Sequence, residues 1–319
     1  ADWLLFRGSY NTGFRVPGFN QIFNGVTISP NPGNTLVDPT RCATGAVNPA
    51  IPGCEAITPE TASGGNVNLG PETSKQASLG VVFQPAPRFS ASVDFWTIAV
   101  DDTIGTLTIP QLLANISYFP DRISRDANGI IDGLDLRTAN IGSRRTQGLE
   151  ITLRGGVDAF GGSLSASLDG TYLLKKREKF LPSAPYGPSL IGVFTYTGDL
   201  GLKWKHNANV SWTNDLWGVS LSQIFRNGYA NQKLPGIANG TVTRPGFNER
   251  VKDYVTYNFA VTAKAWDRLT LTAGVKNIFN TDPPFAITYD SNTGAGSSWE
   301  PRVADPRGRS CTLLAEVKF

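Results

Sequence analysis

The side chains that most often carry out catalysis are scarce in this sequence. The single histidine, His206, alternates in phase with Trp204 and Ala208, which places all three on one face of an extended strand. A catalytic or metal-binding histidine requires convergent partners and a cavity, and an outward strand face offers neither. The sequence also lacks a nucleophile elbow, a phosphate-binding loop and a zinc signature. We therefore predict a protein that is not an enzyme, with no catalytic residue, no metal site and no cofactor.

Two acidic segments could bind a cation, but each has a simpler interpretation. Asp101 and Asp102 fall where a predicted strand meets a loop, so we expect solvated loop charges there. The segment 126–132, DANGIID, is similar to a calcium-binding loop. It lacks the acidic residue that closes an EF-hand loop, whereas Asn-Gly is typical of a tight β-hairpin. We predict a hairpin at Asn128 and Gly129.

The three cysteines divide into a pair and a single residue. Cys42 and Cys54 lie in one segment rich in Pro, Asn and Gly, with no Cys-x-x-Cys spacing and no histidine partner. Such a pair is interpreted better as a disulfide than as a metal site, and closing a loop of this size contributes roughly 3 kcal/mol. A disulfide indicates an oxidising compartment. Cys311 shares the phase of apolar residues in the last predicted strand, so we expect it to be a packing residue.

These residues are carried by a chain with the pattern of many strands joined by turns and loops. Of its 319 residues 40% are hydrophobic and 17% charged, with 34 Gly and 21 Pro. In about ten segments apolar and polar residues alternate at every second position, which is the period of a β-strand. The connections between these segments are alternately short and long. No apolar run approaches the roughly 18 residues of a membrane-spanning helix, but strands that cross a membrane hide their hydrophobicity at alternate positions. The predicted strands begin near Ala1, Pro71, Phe89, Thr146, Ser163, Lys203, Val219, Val255, Leu269 and Arg309.

The last predicted strand, RSCTLLAEVKF, ends on an aromatic residue with apolar residues at every second position behind it. This pattern resembles the closing strand of bacterial outer-membrane β-barrels. The resemblance implies that Phe319, Val317 and Ala315 form an assembly signal and that the strand pairs to close a barrel.

Further segments resemble TonB-dependent outer-membrane receptors, the energised transporters that have a plugged barrel. The stretch SYNTGFRVPGFNQIF, from Ser9, is similar to a strand end and loop start of this family, and Pro71-Glu72 and TQGLEI, from Thr146, are similar to its strand entries. The most specific stretch is GVKNIFNTDPP, from Gly274, followed by DPRGRS and the terminal Phe319. The resemblance covers essentially the whole chain.

This resemblance implies an all-β fold in which residues 1–319 form the carboxy-terminal portion of a receptor barrel domain. We expect a membrane-spanning, antiparallel, up-and-down β-barrel portion of about ten strands with long extracellular loops. Plugged transporters have roughly 22 strands, so ten should form an open or partly closed wall. The expected location is the bacterial outer membrane, in contact with its lipid.

The same resemblance implies partners and a substrate class. We expect the plug domain and the remaining barrel strands to precede residue 1, with TonB acting through the plug. The expected function is TonB-energised uptake of a scarce solute, such as a ferric siderophore, cobalamin or an oligosaccharide. In the family, outer loops and inner-wall residues catch the substrate. The candidate ligand-binding residues are therefore loop aromatics: Tyr118, Phe119, Tyr186, Tyr196, Phe247, Tyr289 and Trp299.

Two other classes of protein remain open at this point. A small, complete outer-membrane barrel, porin-like or an enzyme such as a protease, would show hydrogen bonds between its first and last strands. A soluble β-sandwich binding module would show two sheets packed face to face. The net charge is only +3 and no Lys/Arg cluster alternates with aromatic residues, so we predict no nucleic-acid partner.

Overall fold

Ten long strands form one antiparallel sheet in the computed structural model. The order of the strands in the sheet is their order along the chain, so each strand is hydrogen-bonded to the long strands before and after it. The structure describes residues 3–31, 36–181, 183–194, 200–233, 249–266, 268–288 and 296–318. The ten strands are β1 Leu4–Arg15, β2 Glu72–Ala86, β3 Phe89–Asp101, β4 Ser143–Ala159, β5 Gly162–Lys179, β6 Trp204–Thr213, β7 Trp217–Arg226, β8 Tyr254–Trp266, β9 Leu269–Lys276 and β10 Ser310–Val317. The up-and-down topology predicted from the alternating pattern is confirmed.

The sheet is an open wall. Within the part of the chain that the structure describes, β1 pairs only with β2, and β10 pairs only with β9. The first and last strands therefore share no hydrogen bonds, as expected for a wall portion and not for a small closed barrel. The ten strands belong to one sheet and not to two stacked sheets, which argues against the β-sandwich.

Strand boundaries differ from the predicted ones most clearly in β4 and β5. β4 begins three residues before the expected Thr146. β5 continues to Lys179, whereas the alternation that begins near Ser163 predicts a strand only as far as Leu174. A bulge explains the second difference, because Gln147 pairs with Lys175 and Gly148 pairs with Leu173, which leaves Leu174 as an extra residue. A bulge shifts the alternation by one position, so the polar end of β5 loses its strand pattern in the sequence.

Long loops connect the strands at one end and tight turns connect them at the other. The loops are L1 (16–71), L2 (102–142), L3 (180–203), L4 (227–253) and L5 (277–309). Their short elements are the helices Phe19–Phe23 and Ile109–Leu113, the 3-10 turn Pro120–Arg122, and the strands Thr27–Pro30, Glu60–Ser63, Ile104–Gly105, Ile123–Arg125, Ile131–Asp135, Ala139–Asn140, Tyr229–Ala230 and Arg250–Val251. Among the described residues, neither helix has the length and apolar character to cross a membrane. The strands Ile123–Arg125 and Ile131–Asp135 pair around Asn128 and Gly129, so the predicted hairpin is confirmed.

The two faces of the sheet differ in chemistry. We call the face that carries Thr152 and Arg154 of β4 the polar face, and the face that carries Ile151 and Leu153 the apolar face. The largest buried apolar side chains lie in the loops, and the apolar face of the sheet is left uncovered. Its exposed fractions include Leu153 41%, Leu221 43%, Val93 46% and Val210 47%. Exposed apolar surface on this scale indicates contact with another apolar phase.

Candidate ligand-binding surface at the mouth of the wall

Cross-strand hydrogen bonds hold the polar face of the wall in shape. On β1 to β3, Arg7 donates two hydrogen bonds to the Asp94 carboxylate, at 2.6 and 2.5 Å, across the intervening β2. Gly80 of β2 lies between the two residues in register, and a Cβ atom built there would overlap the carboxylate. Glycine at this position therefore leaves the space through which the pair forms. Further along the face, Thr171 donates to Glu150 at 2.9 Å.

Loops L1 and L2 are fastened together above β1 to β4. Cys42 and Cys54 form a disulfide, with their Cα atoms 4.6 Å apart, so the predicted pairing is confirmed. In the same segment the buried Asp38 accepts hydrogen bonds from the Thr40 amide and hydroxyl, and it forms an ion pair with Arg125 of L2. Burial acts to raise the pKa of Asp38, but the hydrogen bonds from Arg125 and Thr40 outweigh it, so the pKa lies below its ordinary value.

Two apolar clusters complete the packing of the loops. The first joins L1 and L2 around Ile57, Leu107, Leu112, Ile131 and Leu134. The second joins L3, L4, L5 and the start of β8, and consists of Leu200, Leu202, Tyr229, Val251, Tyr254, Ala286, Val303 and Ala304. Burial of this much apolar surface gives each loop group a fixed shape. The second cluster positions the residues 301–308 of L5 against the polar face of the wall.

A cavity of about 670 Å³ lies between L5 and the polar face of β7, β8 and β9. Wall residues line one side of it, among them Arg226, Thr256, Asn258 and Lys276. The opposite side is the segment 301–308, which contributes Arg302 and Arg307. The volume falls within the range of small-molecule sites.

A second cavity of about 340 Å³ adjoins the first and shares Arg226, Arg302 and Val303 with it. It reaches across β3 to β6, where Trp96, Glu150, Thr171 and Lys205 belong to its lining. The indole nitrogen of Trp96 is buried and has no hydrogen-bond partner among the described residues. Buried polar atoms are nearly always paired, so this unpaired donor is an exception in the lining.

Positive charge predominates around the two cavities. Their linings contain five cations, Lys205, Arg226, Lys276, Arg302 and Arg307, against two carboxylates, Glu150 and Asp305. Lys205 and Arg226 are direct partners in the register of β6 and β7, so two like charges face each other on the polar face. Such a pair destabilises a sheet unless an anion is present.

The two arginines shared by the cavities differ in how they are held. Arg226 donates to the Phe225 carbonyl at 2.9 Å and approaches Asn207 Oδ1 at 3.5 Å, and it forms no salt bridge with any described carboxylate. Arg302 is held by two hydrogen bonds of 2.8 Å to the buried Glu300 and lies over the Phe194 ring.

The carboxylates beside these arginines remain ionised. Burial alone would raise the pKa of Glu300, and the Arg302 hydrogen bonds reverse that effect, so its pKa is lowered. Arg307 lowers the pKa of Asp305 to about 2. Arg302 and Arg307 are therefore fixed in place by charged partners, whereas Arg226 has no charged partner among the described residues.

We call loops L1 to L5, together with the loop end of the polar face, the mouth. The predicted aromatic residues that the structure describes lie in this region but away from the two cavities. Phe119 packs in the L1–L2 cluster, 4.9 Å from the Tyr118 ring and 6.0 Å from Phe180. The Tyr186 ring lies beneath Arg145 and Lys179, with its centroid 5.2 Å from Arg145 Cζ and 5.6 Å from Lys179 Nζ. Trp299 is half-buried in L5, where its carbonyl accepts a hydrogen bond from Ser297. These four line neither cavity, and Tyr196, Phe247 and Tyr289 lie outside the described residues.

Sequence reasoning overlooked the cations of the mouth. Lys205 and Arg226 stand in the polar phase at the loop ends of their strands, and that signal was available from the alternation. Arg302 and Arg307 gave no comparable signal, because their position depends on how L5 folds back onto the wall. Ligand-contacting roles for the loop aromatics stay a prediction.

His206 lies on the apolar face, as its phase predicts. Its ring stacks on Phe225 at 5.1 Å, and its Nδ1 accepts a hydrogen bond from the Trp204 indole at 2.8 Å. The Nε2 atom then carries the proton and donates to Gln223 Oε1 at 2.9 Å, and Gln223 donates to the Tyr257 hydroxyl. The described residues contain no group of three acidic, histidine or cysteine side chains arranged for a metal ion.

The last strand pairs with β9 over its whole described length. Ala315 and Val317 pair with Leu271 and Leu269. Cys311 is exposed and pairs with Val275. Phe319 lies outside the described residues, so the predicted assembly signal of Phe319, Val317 and Ala315 remains a prediction.

Comparison with solved structures shows the same fold in siderophore receptors. The ferric enterobactin receptor PfeA from Pseudomonas aeruginosa, in a mutant form with enterobactin, has a TM-score of 0.64 at 15% identity, over 99% of this chain and 39% of that one. The siderophore receptor PirA from Acinetobacter baumannii has a TM-score of 0.61 at 19% identity, over 99% and 39%. The copper transporter OprC has a TM-score of 0.52 at 13% identity, over 100% and 38%. The chain thus spans about 39% of the length of such receptors.

The sequence comparisons agree with this fold. No curated protein sequence matches the chain. The family model described as TonB dependent receptor-like, beta-barrel matches residues 1–278, which cover β1 to β9. The chain belongs to the TonB-dependent receptor family and represents a part of its β-barrel.

Proposed function

We propose that this chain forms the wall and outer mouth of a bacterial outer-membrane receptor that takes up an anionic ferric siderophore with energy from TonB. The observation that carries the proposal is the direct pairing of Lys205 with Arg226 on the polar face, within the linings of the two cavities. Like charges in register cost stability in the free protein. A bound anion would offset that cost.

Membrane placement follows from the two faces of the wall. The apolar face would contact lipid and the polar face would line the lumen, with the tight turns toward the periplasm and L1 to L5 outside the cell. This matches the asymmetry of outer-membrane barrels, which have short periplasmic turns and long external loops. The disulfide of L1 suits an oxidising compartment.

The substrate class follows from charge. Arg302 and Arg307 are paired with Glu300 and Asp305. The other three lining cations exceed the one other carboxylate, Glu150, which favours a ligand with negative charges. A ferric catecholate complex has such charges, and its aromatic rings would stack on the Trp96 ring. An uncharged oligosaccharide would make no use of the surplus. One structural neighbour is named as a siderophore receptor and another as a ferric enterobactin receptor.

The remaining partners belong to the same proposal. A plug domain and further barrel strands would complete the lumen, and TonB would act on the plug to release the ligand inward. The loop aromatics Tyr118, Phe119, Tyr186, Tyr196, Phe247, Tyr289 and Trp299 would then serve as outer contacts.

Uptake of radiolabelled iron by whole cells tests this function. Cells that express the complete protein should take up ferric enterobactin, an anionic catecholate, far faster than ferrioxamine, a cationic hydroxamate complex. Deleting TonB should abolish the uptake. Uptake that persists without TonB, or equal uptake of the two complexes, would contradict the proposal.

A further inference from the structure

The loop end of the apolar face changes abruptly from apolar to basic. The outermost apolar row of the register is Leu79, Phe95, Leu149, Tyr172 and Trp204, on β2 to β6. Beyond it, toward L1, L2 and L3, the same face carries cations in three successive rows. We call Lys75, Arg145, Lys175, Arg177 and Lys179 the basic patch.

The register places three of these cations in one row. Lys75 of β2 pairs with Ala99 of β3, Ala99 pairs with Arg145 of β4, and Arg145 pairs with Arg177 of β5. The small Ala99 leaves open surface between Lys75 and Arg145. Lys175 lies in the row below, opposite Gln147, and Lys179 lies in the row above, opposite Ser143.

Lys175 and Lys179 of the basic patch are half-buried, and its other three cations are exposed. Lys75, Arg145 and Arg177 are exposed side chains, and none of them forms a salt bridge with a described carboxylate. Arg145 contacts the Tyr186 ring of L3, which fixes its position. Asp101, in the row of Lys179, is the carboxylate that shares this face, because Glu178 points to the polar face and pairs with Arg144.

The height of the basic patch matches that of lipid headgroups. Arg145 is four residues from Leu149 along β4, or about 13 Å along the strand, and the row of Lys175 is about 7 Å from Leu149. Strand tilt shortens both heights above the apolar band, which places the rows near the polar layer at the membrane edge. Tyr172 and Trp204 mark that edge, as aromatic residues do at membrane interfaces.

We propose that the basic patch binds the phosphorylated headgroups of anionic lipids at the outer edge of the membrane. Like charges in register, Arg145 against Arg177, are unfavourable without an anion between them. A lipid binds more favourably than free phosphate, because its acyl chains also pack against the adjoining apolar rows. The inference rests on the membrane placement of the proposed function, but it concerns the face opposite to the mouth.

Lipid titration of the complete protein in detergent provides the test. Phosphatidylglycerol should bind more tightly than phosphatidylcholine, and Lys75→Gln with Arg177→Gln should weaken phosphatidylglycerol binding by about fivefold or more, since each cation near a membrane surface contributes about 1 kcal/mol. Neither Lys75 nor Arg177 holds a loop in place. The matched control, Lys264→Gln with Arg268→Gln, removes one lysine and one arginine at the turn end of the wall and should leave binding unchanged.

Three results would overturn the inference: no preference for phosphatidylglycerol, an equal loss in the control variant, or full competition by inorganic phosphate alone. Competition by phosphate would identify a site for a soluble anion. Uptake of the ferric complex by the Lys75 and Arg177 variant separates the two proposals. Normal uptake with weakened lipid binding supports both, whereas normal uptake with unchanged lipid binding removes only the basic patch.

Discussion

Lys205 and Arg226 face each other directly across β6 and β7, at the point where two cavities of the mouth meet. Within the described residues neither side chain forms a salt bridge, although both are surrounded by polar groups. The arrangement costs stability in the empty protein, and in the proposed function it would supply two charges to one anion. Binding sites commonly show such a trade between stability and function.

The first prediction separates the cost of the Lys205–Arg226 pair in stability from its contribution to ligand binding. Lys205→Gln or Arg226→Gln should leave the free energy of unfolding unchanged or raise it by up to about 1 kcal/mol, because a like-charge pair is removed. Each should weaken the binding of ferric enterobactin about tenfold or more, because a charge-assisted hydrogen bond is lost. Thermal unfolding and ligand titration of the complete protein measure the two quantities. Lys264→Gln, at the turn end of β8, should change neither, and a variant with lower stability and unchanged affinity would refute the assigned role.

The second prediction concerns the Arg7–Asp94 pair. Gly80→Ala places a Cβ atom against the Asp94 carboxylate and should destabilise the wall by about 1–3 kcal/mol, the usual cost of overpacking. Gly8→Ala is the matched control, because its Cβ atom would meet no atom closer than 3.4 Å. The temperature at which the protein loses its resistance to denaturation by detergent reports the difference. Equal effects of the two substitutions would show that Gly80 does not serve the ion pair.

The third prediction is a pH dependence of the contact between L1 and L2. The folded-state pKa of Asp38 lies below the ordinary value of 3.8, so ionised Asp38 contributes its full stability above about pH 4. This contribution should be lost progressively as the pH falls below 3.8 and through the folded-state pKa. Cleavage of L1 by pepsin, a protease that is active in this acidic range, measures the loosening.

Substitution isolates the same ion pair at neutral pH. Arg125→Met should make L1 sensitive to protease at pH 7, since it leaves the buried Asp38 charge without its partner. Arg41→Met removes an exposed arginine of the same loop and should have no such effect. Undiminished protection in Arg125→Met would contradict the role given to the pair.

The fourth prediction concerns Tyr229, in the cluster that joins L3, L4 and L5. Its side chain is 1% exposed and its hydroxyl has no hydrogen-bond partner among the described residues. Burial raises its pKa, and the Glu300 charge adds to the effect, so the hydroxyl stays neutral. Tyr229→Phe should therefore leave the melting temperature unchanged or raise it, because an unpaired polar group is removed. Tyr229→Ala should lower stability by about 3–5 kcal/mol through the cavity it creates, and a comparable loss in Tyr229→Phe would reveal a hydrogen bond to the hydroxyl.

The strands of the wall could be predicted because each carries apolar side chains on one face and polar side chains on the other. The alternation of Ile151 and Leu153 with Thr152 and Arg154 is sufficient to identify β4. It failed at the loop end of β5, where Leu174 bulges and the following residues are charged on both faces. The alternation of apolar and polar residues identifies a strand only where one face meets apolar surroundings and the other meets water. At the loop end of β5 both faces carry charged residues, so the alternation is absent.

The mouth could be predicted only in part. The bond between Cys42 and Cys54 followed from local spacing, since the two residues share one loop. The position of Arg302 near Arg226 depends on the cluster that folds L5 back onto the wall, and no local pattern encodes that packing. The preference for aromatic residues as ligand contacts therefore overlooked the cations.

We expect the polar face of this wall to line a lumen and its apolar face to contact lipid. Spin labels attached to single cysteines at Ser165, Ala166, Ser167 and Leu168 of β5 test it most directly, in the complete protein in bilayers with Cys311→Ser as background. Labels at Ala166 and Leu168 should be accessible to oxygen dissolved in lipid, and labels at Ser165 and Ser167 to a water-soluble nickel chelate. Uniform accessibility along the four positions, or the inverse alternation, would contradict this placement of the two faces.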